Sequence, residues 1–175
     1  MADEKKPPIS TRGGDDGTTT LLGAGRMPKH DARIMALGDI DEASSYIGLA
    51  RAGSEGNMAG LLIELQRLLY RVMGDVAMPN EKNVVGSSDV EYLDAALEEW
   101  RDRTEIPNQF VIPGESILGA HLDVARSVVR RAERNLVAAG YAQAHPDALK
   151  AVNRLSDLLF VVARNADGKT SLSKE

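Results

Sequence analysis

Met58–Met78, MAGLLIELQRLLYRVMGDVAM, sets Leu61, Leu62, Leu65, Leu68, Leu69, Val72 and Met73 three and four residues apart. Side chains at that spacing share one helical face, so the run predicts an amphipathic helix with one side in a core. Pro79 is expected to stop it. Working back, Ile34, Leu37, Ile40, Ala43, Ile47 and Leu49 predict a first helix over about Asp31–Arg51. Working forward, Ser88-Asp89-Val90-Glu91 reads as a capping box opening a third helix that repeats Leu93, Leu97 and Trp100 on one side. A fourth runs from about Ser116 to Ala139 with Gly140 as its C-terminal cap, and Pro146 opens a fifth that continues to about Arg164. The fold class expected is all-α: an up-and-down bundle of five helices preceded by a Gly/Thr-rich segment.

Composition bounds the same answer. The 175 residues are 43% hydrophobic, enough for one core, and the apolar set is Leu, Ala, Val, Ile and Met with few aromatics. A single domain is expected over residues 9–167, with a nucleotide-binding segment at 9–30 and the bundle at 31–167. Residues 1–8 and 168–175 read as flexible tails. A net charge of -5 disfavours general affinity for nucleic acid or an anionic membrane surface. Cysteine is absent, which removes disulfides, thiolate metal sites and thiol nucleophiles together. Nothing resembles an export leader or a bilayer span, so a soluble, cytoplasmic protein is expected.

Two stretches carry chemistry. Thr11-Arg12-Gly13-Gly14-Asp15-Asp16-Gly17-Thr18-Thr19-Thr20 joins glycines, whose backbone N–H groups can approach a ligand, with hydroxyls that donate to phosphate. It lacks the Gly-Lys-Ser/Thr ending of a Walker A loop, and its composition fits a polyphosphate cradle or a plain linker. The acids in it repel phosphate unless they hold the loop, bind ribose or face Mg²⁺. Arg126, Arg130 and Arg134 recur at four-residue spacing, either as forked phosphate contacts or as a solvated face paired with acids such as Asp123 or Glu133. Asp39, Asp41 and Glu42 lie inside the first helix, where one of them is expected to answer an arginine. No Ser/His/Asp order, glycosidase carboxylate pair or zinc spacing is present, which favours chemistry by positioning and charge stabilisation.

Taken in order, these blocks resemble the PduO-type ATP:cob(I)alamin adenosyltransferases, the corrinoid adenosyltransferases. The carriers are Thr11–Thr19, Gly25-Arg26-Met27-Pro28-Lys29, Gly38-Asp39-Ile40-Asp41-Glu42, Phe110-Val111-Ile112-Pro113-Gly114, Ala125-Arg126 followed by Arg130-Arg131-Ala132-Glu133-Arg134, and Asn153–Phe160. The resemblance implies a homotrimer with active sites between subunits, and transfer of the 5′-deoxyadenosyl group of ATP to the cobalt of cob(I)alamin. It implies that Thr11, Gly13, Gly14, Asp16, Gly17, Thr19 and Lys29 surround ATP, joined by Arg130, Glu133 and Asn153. It pairs Arg126 with Asp41 across the interface, sets Phe110 on the lower corrin face and gives Phe160 a second ring contact. Mg²⁺ is expected with the ATP phosphates, cobalamin as substrate, and a flavoprotein reductase and a cobalamin-dependent acceptor enzyme as partners. Two other classes fit the same residues: a module that holds ATP or a corrinoid without turnover, and a helical scaffold.

Overall fold

A hairpin and six helices make up the computed structural model, which describes residues 10, 12–22, 24–78, 81 and 84–173. Strand β1 (Thr18–Leu21) pairs antiparallel with β2 (Gly25–Pro28), Thr18 facing Pro28 and Leu21 facing Gly25. The glycine-rich segment is therefore not a loop throughout, and it buries Leu21 and Met27 on one side.

Helix α1 (Ala32–Ala52) starts where the Asp31 carboxylate accepts the Arg33 N–H at 3.0 Å. Helix α2 (Gly56–Ala77) buries the leucine face expected of it, with Leu62, Leu65 and Leu69 fully enclosed. Helix α3 (Ser87–Asp102) begins earlier than the expected box at Ser88. Its cap is Gly86, whose N–H donates to the Asp89 carboxylate at 3.0 Å, so the acid at the third helical position is Asp89 and not the Glu91 of a Ser88 box. Helix α4 (Ile117–Ala138) is capped by Ser116, whose hydroxyl accepts from Gly119 N–H at 2.9 Å. Gly140, at φ 85°, takes the left-handed turn after it, the conformation a glycine tolerates best. A single-turn helix α5 (Tyr141–Ala144) follows, the sixth helix that periodicity over so short a span does not reveal. Helix α6 (Pro146–Asp167) begins on Pro146 and runs one turn past Arg164.

Helices α4 and α6 form the centre, with α1 packed on α4, α2 on α1, and α3 on α6. Ile40, Leu65, Leu93, Leu122, Leu136 and Leu155 interdigitate there, each contributing about 1.5–3 kcal/mol by burial. The α4–α6 seam also holds charge. Arg164 bonds Asp123 and Asp167, and all three side chains are buried. Breaking such a set by removing one member costs roughly 3–5 kcal/mol.

The polar C-terminal stretch is not a free tail as far as it is described. Ile112 N–H donates to Ser171 C=O at 2.9 Å and Ser173 N–H to Phe110 C=O at 2.8 Å, setting Val111 opposite Leu172. Residues 1–9 and 174–175 lie outside the described residues, as does Thr11.

Candidate functional site

The hairpin end is held by one acid. Asp16 Oδ1 accepts Thr18 N–H at 3.0 Å and the Thr18 hydroxyl at 2.7 Å, and Arg26 donates to the same oxygen at 3.0 Å. These bonds, that of the Thr18 hydroxyl first, keep the Asp16 carboxyl below the ordinary aspartate range. Of the roles open to the acids here, Asp16 takes that of holding the loop. Arg26 also donates to Gly13 C=O at 2.8 Å, closing the loop from the opposite strand. Sequence reading gave Arg26 no role; its signal is an arginine ten residues after a loop acid with a strand pair between them. Gly17, at φ 81°, turns the chain, and its carbonyl accepts Lys29 N–H at 3.0 Å. A Cβ on Gly14 would stand 3.0 Å from Lys29 Nζ, so the ammonium lies directly over bare backbone. Thr19 faces Met27 across the ladder.

The helical residues gather around Arg126. Arg126 lines a cavity of about 520 Å³ with Phe110 and Phe160, a second with Arg130, Asp157 and Phe160, and a third with Glu42, Arg131 and Arg134. Phe110 is 86% exposed, a large apolar ring offered to whatever fills the first. Its carbonyl accepts Ser173 N–H, and Ile112 two residues on donates to Ser171 C=O, which fixes the backbone there. Beside these, Asn153 Nδ2 donates to Glu133 Oε1 at 3.0 Å, and Arg154 bonds Asn153 Oδ1 at 3.0 Å while pairing with Asp94.

The arginine face divides. Arg126 Nε pairs with Asp123 at 3.0 Å, and Arg131 pairs with Asp39 at 2.8 Å and with Glu42. Asp39, buried, also accepts from Asn135 at 2.8 Å, and its bond with Arg131 is the first cause of that guanidinium's raised pKa. Arg134 turns back to the Arg130 carbonyl at 2.9 Å. The Arg130 guanidinium has no hydrogen bond or ion pair among the described residues. Asp41 is exposed and its carboxylate is likewise unpaired, so within one chain Arg126 and Asp41 do not meet.

Among the described residues no hydrogen bond or ion pair joins Asp16, Gly17, Thr19 or Lys29 to Arg130, Glu133 or Asn153, so the hairpin end and the helical residues carry separate bonding networks. No cluster of three or more His, Asp or Glu that could hold a metal occurs among the described residues. A Mg²⁺ here fits only as an ion carried largely by phosphate and water oxygens, the habit of that cation. No helix of the described residues is long and apolar enough to cross a membrane.

Comparison with known proteins agrees over nearly the whole chain. A family model described as cobalamin adenosyltransferase matches residues 9–166. A corrinoid adenosyltransferase of Mycobacterium tuberculosis is 42% identical, the match covering 91% of this chain and 90% of that protein. One from Citrobacter freundii is 35% identical over 89% of this chain and 93% of its own. A variant PduO-type ATP:corrinoid adenosyltransferase of Lactobacillus reuteri, solved with cobalamin and ATP, superposes with a TM-score of 0.88 at 28% identity. That match covers 96% of this chain and 100% of the other.

Proposed function

The chain belongs to the cobalamin adenosyltransferase family, and from that membership we infer that it transfers the 5′-deoxyadenosyl group of ATP to the cobalt of cob(I)alamin. The products are adenosylcobalamin and triphosphate. The observation that carries the reading onto this chain's own residues is the cluster around Arg126. Arg130, whose guanidinium has no partner among the described residues, and an exposed Phe110 line adjoining cavities that share Arg126 and Phe160.

Reduced cobalt supplies both electrons of the new Co–C bond, and the C5′–O bond breaks with its pair leaving on triphosphate. The protein therefore needs no activated nucleophile, and its task is alignment and charge stabilisation. Arg130 and Lys29 are the cations assigned to the phosphates, with Thr11, Gly13, Gly14, Gly17 and Thr19 offering backbone or hydroxyl donors. Asp16 shapes that loop through Thr18 and Arg26. Glu133 and Asn153, already bonded to each other, are assigned to the nucleoside end of ATP. When bound, Mg²⁺ supplies positive charge against the departing triphosphate. Phe110, with Phe160 beside it, is assigned to the lower corrin face. A ring there excludes water or a base from the axial position and so eases reduction of Co(II), the electron coming from a flavoprotein reductase.

An exposed Asp41 carboxylate and Arg126 terminal nitrogens that have no partner among the described residues support a site completed between subunits of a homotrimer, with Arg126 reaching Asp41 of the adjoining chain. Ile117 and Val124, exposed seven residues apart on α4, support burial of that face against another copy. A cytoplasmic setting and delivery to a cobalamin-dependent acceptor enzyme complete the reading.

The test is the cobalamin spectrum under strict anaerobiosis with chemically reduced cobalamin and MgATP. Conversion to adenosylcobalamin is expected. Binding without conversion would leave only a carrier or sensor, and the absence of any ATP-dependent thermal shift would leave a scaffold.

A further inference from the structure

We propose that Asp123, locked by the buried Arg164, is a positioning residue that aims Arg126, an assignment that rests on the functional reading above. A guanidinium has two hydrogen-bonding edges, so an acceptor on Nε fixes the plane of the group while leaving terminal nitrogens to bond elsewhere. Arg126 is held in this way. Its Nε meets Asp123 Oδ1 at 3.0 Å, and its terminal nitrogens have no partner among the described residues. Its side chain is 26% exposed and borders all three cavities of the cluster.

Asp123 cannot turn away from this duty. Its other oxygen takes the Arg164 guanidinium, whose side chain is fully buried and which also reaches Asp167 at 2.9 Å. Asp167 in turn accepts the Ser116 hydroxyl at 2.8 Å and sits where Gly119 carries no Cβ. Two arginines and two aspartates thus form an electrically balanced set, placed three residues apart on α4 and on α6. The Arg164–Asp167 pair and its Ser116 contact tie the two helices without any help from Arg126. The partly exposed Arg126 arm adds little to that seam, and what it gains from Asp123 is a fixed direction. Preorganising a long side chain before substrate arrives removes an ordering cost from the bound state.

The experiment is a double-mutant cycle on adenosyl transfer, kcat and KM for ATP being measured with cob(I)alamin supplied preformed. Asp123→Asn is introduced into the parent and into Arg126→Ala. If Asp123 acts through Arg126, the substitution lowers kcat about tenfold or more in the parent and less than about twofold in Arg126→Ala, since a residue acting through another has nothing left to act on. Equal losses in both backgrounds overturn the proposal, because a general defect of the seam ignores residue 126. A parent with no turnover overturns instead the functional reading beneath it. Should Asp123→Asn fail to fold, Arg126→Lys decides. It keeps the charge but has no second edge to be held by, so kcat is expected to fall about tenfold. Activity within about twofold of the parent would overturn the role of orientation.

Discussion

Among the described residues the Arg130 guanidinium differs from its neighbours in having no partner. Arg126 and Arg131 spend guanidinium nitrogens on Asp123, Asp39 and Glu42, while Arg130 lies beside a cavity. Arg130→Ala should therefore leave the melting temperature nearly unchanged, as alanine suits a helix interior. Losing a charged contact to phosphate is worth about 1.5–3 kcal/mol, so kcat/KM for ATP should fall about 10- to 100-fold. Steady-state kinetics beside a thermal melt checks both, and parent-like kinetics would remove Arg130 from the phosphates. Phe110 makes a different prediction because the role proposed for its ring is to exclude an axial ligand during reduction of Co(II), a step that precedes transfer. Phe110→Ala should slow transfer at least about tenfold when the assay starts from Co(II) and a reductase, with little change from preformed Co(I). Equal losses from both starting points would mean that Phe110 serves binding alone.

Helix α4 shows how closely two elements can be set when one residue has no side chain. A Cβ on Gly119 would stand 2.0 Å from Asp167 Oδ1, inside the buried charge set. Helix propensity alone favours Gly119→Ala by about 1 kcal/mol. Overpacking works the other way by about 1–3 kcal/mol, and displacing a buried carboxylate from Arg164 and Ser116 puts the change at the upper end. The expected result is a melting temperature several degrees lower, read by circular dichroism; a higher one would mean the seam can open freely. Much of this level was legible from sequence. The long helices announce themselves because Leu, Val and Ile recur every three or four residues over some twenty positions. The hairpin does not, since four-residue strands are set by their partner's register, and Thr18–Leu21 carries only a weak alternation. The pairing of Val111 with Leu172 is less visible still, because its stability comes from contacts sixty residues apart and not from any local pattern. Asp89 was recognised as part of a cap, but a glycine cap leaves no side-chain signature, so the helix start shifted to Ser87.

At the scale of the whole molecule, residue types were readable and pairings were not. Arg126 and Asp41 carry opposite charges at family-like positions, yet within one chain Arg126 turns to Asp123 and the Asp41 carboxylate has no partner among the described residues. Charge complementarity alone cannot rank an acid three residues away against one on another helix or another copy. The proposed trimer resolves this by giving the Nε edge of Arg126 to its own Asp123 and the terminal nitrogens to the neighbour's acid. That arrangement has a consequence no single-chain site shares. Arg126→Ala and Asp41→Ala should each depress transfer, and if the pair lies across a boundary, each variant still carries the partner the other lacks. When the two are refolded together in equal amounts, random assortment gives about one interface in four both intact members, so about a quarter of parental activity should return. If the pair lay within one chain, every polypeptide in the mixture would lack a member and activity would stay at that of the separate variants. Specific activity of the co-refolded mixture, against each variant refolded alone, separates the two arrangements without a structure of the assembly.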